Sequence, residues 1–349
     1  MSRPLKIVHS ASHTSEIIPA TLLAEETRGQ WVENRHAGWI IQVDLQGKIL
    51  AQTQYASQCH TFFRSAAKPF QAIPLLRAEL ACELGSSGLA IACASHTGTA
   101  QHLAEVRRLL RLASLSESLL GCGPHAPFDS DAAYQLIQSQ KSPKPIHNNC
   151  SGKHAAMLLC CQKHGWSLGN YLQVEHPLQQ QIQQEIQQFA CLENPPPSAI
   201  DGCGAPIVYL SLFSMAFLYA KLVSDPFLQP ILKAMTAHPT LIGGFNRVDS
   251  LIMQVSQGNL LAKVGADGVL AIGNASLSQG LLIKMADGNN TIRDQVALET
   301  LRVLGWLNAS ELADSRLQPF LDGSRINTRQ EVVGDCRLHV ATSLSSGPL

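Results

Sequence analysis

Strand-like runs gather towards the two ends of this 349-residue chain, and helical periodicity fills the stretch between them. Residues 38–52, GWIIQVDLQGKILAQ, read as two strands turning at Gln46-Gly47. Near the other end, residues 261–272 and 280–285 read as neighbouring strands joined through Gly273-Asn274, and residues 331–342 as a strand closing a sheet edge. A parallel sheet needs strands and helices in regular alternation, and that alternation is missing. The expected fold class is α/β in the α+β sense, a mostly antiparallel sheet packed with helices. Neither a G-x-G-x-x-G turn nor a phosphate-binding P-loop is present.

Helices are expected over residues 102–115, 151–163, 178–188 and 294–307, with Gly165 stopping the second of them. Residues 65–80 also read as a helix, with Pro69 in a first turn and Pro74 at a kink. Residues 89–94, LAIACA, read as a short apolar strand running into Ser95. The most apolar stretch, residues 207–222, reads as a buried helix. The proline run at 195–197 reads as a loop inside a single domain spanning 1–349, because candidate site residues lie on both sides of it.

Charge narrows the partners. The 26 basic and 26 acidic residues leave no net charge, so nothing in the balance favours nucleic acid or an anionic membrane. No run reaches the ~18 apolar residues of a membrane span, and no signal peptide is evident, so a cytoplasmic protein is expected. There its ten cysteines stay reduced. None sits in a C-x-x-C pair, which excludes a zinc ribbon and a thioredoxin motif.

Four groups of residues can carry chemistry. In Ser65-Ala66-Ala67-Lys68 the hydroxyl and the amine share one helix face. A lysine made neutral by burial can take the serine proton, as in the penicillin-recognising S-x-x-K enzymes. The spacing alone is weak, and a capped helix start with a solvated lysine would also produce it. Ser95-His96-Thr97-Gly98 is a polar turn that either builds a site or merely caps a helix through Thr97 or Thr99. Lys263-Val264-Gly265 is similar to the K-T-G strand of the same enzymes, with Lys284 a competing inward lysine. Finally, residues 147–154, HNNCSGKH, open a helix whose dipole should depress the pKa of Cys150. Asp201-Gly202-Cys203-Gly204 is a second tight turn with a thiol. Two thiolates and one nitrogen would make three zinc ligands, and imidazole chemistry favours His154 or His147 as the nitrogen.

Taken together, the motifs resemble the zinc-containing, thermolabile L-asparaginase family of the rhizobial type. The matching segments are residues 27–38, 63–76, 92–102, 147–158, 201–212, 234–244 and 263–269, in the family's order, with the resemblance covering about residues 20–340. The resemblance implies a serine-β-lactamase-like fold, a homodimer and hydrolysis of the side-chain amide of L-asparagine. It implies two Ser–Lys pairs, Ser65 with Lys68 and Ser95 with Lys263. Ser65 is the expected nucleophile because its lysine sits one helical turn away, with Ser95 the alternative. It implies zinc on Cys150, Lys153 and Cys203, choosing Lys153 over the histidines. Arg64 and His154 would contact the substrate carboxylate, and Asp201 would hold a zinc-bound water beside the substrate. Thr99-Ala100 stand where the family has an acidic residue and proline. Rival readings are a glutaminase or penicillin hydrolase, a zinc-only hydrolase, and a non-catalytic zinc- or ligand-binding protein.

Overall fold

The structure, a computed structural model, describes residues 18–347. β1 (Thr21–Arg28) and β2 (Trp31–Asp44) form a hairpin, and the chain turns at Gly47, φ +80°, into β3 (Ile49–Gln52). β4 (His60–Phe62), β5 (Ser198–Ile200) and β6 (Pro206–Ser211) make a small sheet in the order β4-β6-β5. β7 (Leu260–Gly265), β8 (Val269–Asn274) and β9 (Gln279–Met285) form a meander, and β10 (Ser324–Ile326), β11 (Val332–Leu338) and β12 (Ser345–Ser346) come last. The large sheet runs β10-β11-β1-β2-β9-β8-β7, with β3 also on β2 and β12 on β3. Every strand pairing among the described residues is antiparallel. This is the α+β arrangement that the hairpin pattern implies.

β7 and β8 are buried along their whole length. The Leu212–Ser224 helix packs against this part of the sheet so closely that a Cβ on Gly280 would collide with the Ala216 carbonyl. Its residues Leu212, Met215, Ala216, Leu218 and Tyr219 are fully enclosed. At about 25 cal/mol per Å² of apolar area, the leucine and methionine side chains among them contribute about 1.5–3 kcal/mol each.

Four segments differ from the sequence reading. Residues 89–94 are not a strand: they close the Ala81–Ala92 helix and the turn after it. A six-residue apolar run has no period that separates a buried strand from a buried helix. Residues 65–80 are a broken series, a 3₁₀ turn at Arg64–Ala67 followed by short helices at Lys68–Gln71 and Ile73–Arg77. Pro69 and Pro74 each stand near the start of a new helical piece, where a missing N–H costs nothing. Residues 207–222 split at Ser211, which ends β6 and caps the helix by accepting from Ser214 N–H. Residues 261–272 likewise split into β7 and β8, because Asp267 (φ +56°) and Gly268 (φ +74°) supply a left-handed turn.

Candidate active site

Two of the broken segments meet at Lys68. Its side chain is almost fully enclosed, at 1% exposure, so its amine must find partners inside the protein. Nζ donates to Ala94 O at 2.6 Å, Ser95 Oγ at 2.8 Å and Cys150 Sγ at 3.2 Å. The resemblance pairs Lys68 with Ser65, whereas its serine contact here is Ser95. Ser65 is half-buried on the 3₁₀ turn, and its hydroxyl makes no hydrogen bond among the described residues. The acceptors that satisfy a buried amine lie on the turn after the Ala81–Ala92 helix. Ser65 and Ser95 nevertheless line one open cavity of about 390 Å³, together with Asn149, Val264 and Gly265. Ser95 is pinned by its N–H on Ile242 O at 2.8 Å. Of the two threonines after it, Thr99 is the one that caps the next helix, in a capping box with His102. His96 is buried, stacked on His102 and 3.0 Å from Ser151 Oγ through Nε2.

Lys263 lies beside this group but is paired elsewhere. It is fully enclosed on β7, donating to Val264 O at 3.0 Å and to Asp249 Oδ2 at 3.5 Å. The Ser95 contact that the resemblance implies is not among its hydrogen bonds in the described residues. Asp249 is also enclosed and accepts from the N–H groups of Val264 and Ser250. Burial pulls the Lys263 amine down from 10.5 to about 7, opposed by Asp249 and reinforced by Lys68 and Arg247. The Cys93 thiol also feels its charge. In the unfolded chain a lysine keeps its proton up to about pH 10.4. Between these limits the unfolded state binds the extra proton, so stability rises with pH. Thermal unfolding of the wild type should therefore gain on that of Lys263→Met as pH rises from about 7 to about 10. A gap that stays constant across that range would show that Lys263 does not titrate there.

Behind Lys68 lie the two thiols. Lys153 Nζ donates to Cys203 Sγ at 3.2 Å, and the neighbouring Cys150 thiol donates to Asn149 Oδ1 at 3.3 Å. The helix dipole was expected to make Cys150 the thiolate, and the structure reverses that. The nearby Cys203 sulfur and its own burial hold Cys150 as the thiol. Cys203 carries the charge, far below the ordinary thiol range, stabilised by the Cys150 thiol, Lys153 and His154. His154 Nδ1 meets Tyr171 Oη at 2.7 Å, and that oxygen already accepts from Gly121 N–H at 2.8 Å. The tyrosine hydroxyl thus donates to Nδ1, which leaves the imidazole hydrogen on Nε2. Burial lowers the His154 pKa to about 4, so the ring stays neutral. His147, the other candidate nitrogen, accepts from Lys144 N–H in a local turn. Gly152, between Ser151 and Lys153, has no room for a side chain, because a Cβ would strike the Ile91 carbonyl.

Arg64 takes a left-handed backbone, φ +51°, and pairs with Asp201 at 2.9 Å and with Asp267. Lys284 is turned aside onto Asp267 O and Met285 O, both at 2.7 Å. Among the described residues, no three His, Cys, Asp or Glu side chains gather as a metal site, and no helix is long and apolar enough to cross a membrane.

The family model described as L-asparaginase II matches residues 24–338. The chain belongs to the L-asparaginase II family. No curated protein gives a significant match. Membership supports an amidohydrolase activity of the L-asparaginase type, and the match spans every site residue named above. Within this L-asparaginase II chain, sequence reasoning missed Asp249 and Tyr171. Both act through contacts distant along the chain, 14 residues to Lys263 and 17 to His154, and no local pattern marks them. It also missed Arg247 and Asp294, which line the cavity with the serines.

Proposed function

We propose that this protein is an L-asparaginase that hydrolyses the side-chain amide of L-asparagine to L-aspartate and ammonia through an acyl-enzyme. The observation that carries the reading is a buried lysine amine 2.8 Å from Ser95 Oγ, behind a cavity that Ser65 also lines. Ser65 is the attacking group, because its hydroxyl is accessible from the cavity and uncommitted. In its neutral form, with one of its three donations given up, Lys68 takes the Ser65 proton on the freed lone pair as Oγ bonds to the amide carbon. The proton passes along the Lys68–Ser95 contact, and Ser95 delivers it to the departing nitrogen, which leaves as ammonia. Water then attacks the ester, Lys68 takes its proton, and aspartate leaves as Ser65 recovers its own. The same 2.8 Å contact supports a second reading, in which Ser95 attacks and Lys68 is its direct base. Rapid-quench mass spectrometry separates the two, because the adduct falls on the peptide carrying Ser65 or on the one carrying Ser95.

The side chains behind Lys68 suit zinc. Two sulfurs and the Lys153 amine converge there, and buried His154 Nε2 has no hydrogen-bond partner of good geometry. Thiolate and nitrogen ligands are those zinc favours. Cys150, Lys153 and Cys203 would hold it, with His154 kept as a hydrogen-bond donor by Tyr171. There the ion would supply a Lewis acid that orients a substrate oxygen. Cys203→Ser should lose the metal, seen by elemental analysis, and raise KM for L-asparagine more than it lowers kcat. A full metal complement in the variant would remove the site, and a fall in kcat alone would remove the orienting role.

Parallel assays of ammonia release from L-asparagine and L-glutamine, and of penicillin ring opening, test the activity. One methylene in a shaped pocket is worth about 1–3 kcal/mol, so asparagine should lead by about 10- to 200-fold in kcat/KM. Equal values for the two amides favour a glutaminase, and turnover of penicillin alone favours the ring-opening reading.

A further inference from the structure

Arg247 and Asp294 stand on the wall of the cavity that the two serines line. Arg247 is half-buried, yet its guanidinium has no ion pair and no hydrogen bond among the described residues. The other arginines nearby are engaged. Arg293 donates to Gly265 O at 3.0 Å, to Asn290 Oδ1 at 2.6 Å and to Asp294 Oδ1. Arg64 is held by Asp201 and Asp267. Arg293 uses only one oxygen of Asp294, reaching Oδ1 from Nε at 2.8 Å and from Nη2 at 2.5 Å. Oδ2 accepts no hydrogen bond among the described residues. Burial lifts the Asp294 carboxyl above its ordinary value despite the pull of Arg293 and, more weakly, of Arg247.

We propose that Arg247 and Asp294 clamp the charged end of an α-amino acid, the guanidinium on its carboxylate and Asp294 Oδ2 on its ammonium, so that the side-chain amide reaches the serines. This rests on the amidase reading above and names the two residues that select its substrate. The chemistry matches on both sides. A guanidinium fork binds a carboxylate through two parallel N–H donors, and a carboxylate oxygen accepts from an ammonium. An α-amino acid carries both charges on one carbon. The resemblance gives the carboxylate to Arg64 and His154, but Arg64 is taken by two aspartates and neither residue lines the cavity of the serines. Arg247 is also well anchored. It is the extended residue (φ −114°, ψ +133°) that caps the Val248–Val255 helix, two positions before the Asp249 that holds Lys263. Gly243 has no space for a side chain, because a Cβ would come within 2.9 Å of Arg247 Cβ.

The test compares L-asparagine with two truncated amides. Succinamate lacks the ammonium, and β-alaninamide lacks the carboxylate. For Arg247→Gln, KM for L-asparagine should rise about 100-fold with little change in kcat, while kcat/KM for β-alaninamide moves less than about threefold. For Asp294→Asn, which keeps an oxygen for Arg293, the loss should fall on L-asparagine and β-alaninamide and spare succinamate. Arg247→Lys should recover part of the loss. If Arg247→Gln costs β-alaninamide the same factor as L-asparagine, the residue is structural and the clamp is wrong. Calorimetric titration with L-aspartate reads the clamp without turnover. About 100-fold weaker binding to Arg247→Gln supports it, and equal binding overturns it. Should the wild type release no ammonia from L-asparagine, the amidase reading fails and this titration still decides the clamp.

Discussion

Ser65→Ala is expected to lower kcat for L-asparagine by about four orders of magnitude or more while the fold stays intact. The effect is large because, in this reading, the acyl ester forms on Ser65 alone. It should be clean because the Ser65 hydroxyl makes no hydrogen bond among the described residues, so no buried partner is stranded. The 3₁₀ turn at Arg64–Ala67 tolerates alanine, as Ala66 and Ala67 in the same turn show. Circular dichroism and the unfolding temperature should match the wild type, and the quenched acyl adduct should vanish. Ser95→Ala should also slow turnover, through loss of the proton path, but leave the adduct on Ser65 detectable. Ammonia release near the wild-type rate from Ser65→Ala would move the attack to Ser95.

Asp249→Ala is expected to cost about 3–5 kcal/mol of folding stability. Lys263 and Asp249 are both wholly enclosed, 3.5 Å apart, and the carboxylate also satisfies two backbone N–H groups. Removing it strands an amine and two donors in a place water does not reach. The amine has one escape, because its pKa lies near 7 and it can shed its proton. The loss measured by urea unfolding should therefore be smaller at about pH 9 than at about pH 6. A cost below about 1 kcal/mol at the lower pH would mean that water or another group replaces the carboxylate.

The hairpins were legible because alternation and a glycine turn are local signals: residues 38–52 became β2 and β3 with the turn at Gly47. LAIACA was not, since burial on every side erases the period that tells helix from strand. The S-x-x-K motif announced a lysine and a serine, but the 2.8 Å contact of Lys68 goes to a serine 27 positions away. That choice depends on where a buried amine finds acceptors, which is a property of packing. The dipole argument for Cys150 failed for a related reason. A helix end favours an anion, but a second thiol with a lysine beside it favours one more strongly, and Cys203 has both. Arg247 left no signal at all, because an arginine in a loop looks the same whether it meets solvent or a cavity.

The missing methyl at position 152 bears on how this chain can vary. The Ile91 carbonyl that Gly152 touches lies four residues before Ser95, and Gly152 itself lies two after Cys150 and one before Lys153. The thickness of one hydrogen atom thus sets how near the serine turn and the thiol turn can stand, and Lys68 bridges the two. In a randomised library, position 152 should behave as though it were reactive, although it has no functional group. Alanine there would pry the two turns apart and silence the protein without altering any side chain that handles a proton. Neutral drift around the thiols is confined in the same way, since exchange at 152 must wait for a compensating retreat of the Ala81–Ala92 helix. Screens for faster variants will find their room elsewhere, at the cavity rim rather than along its back wall.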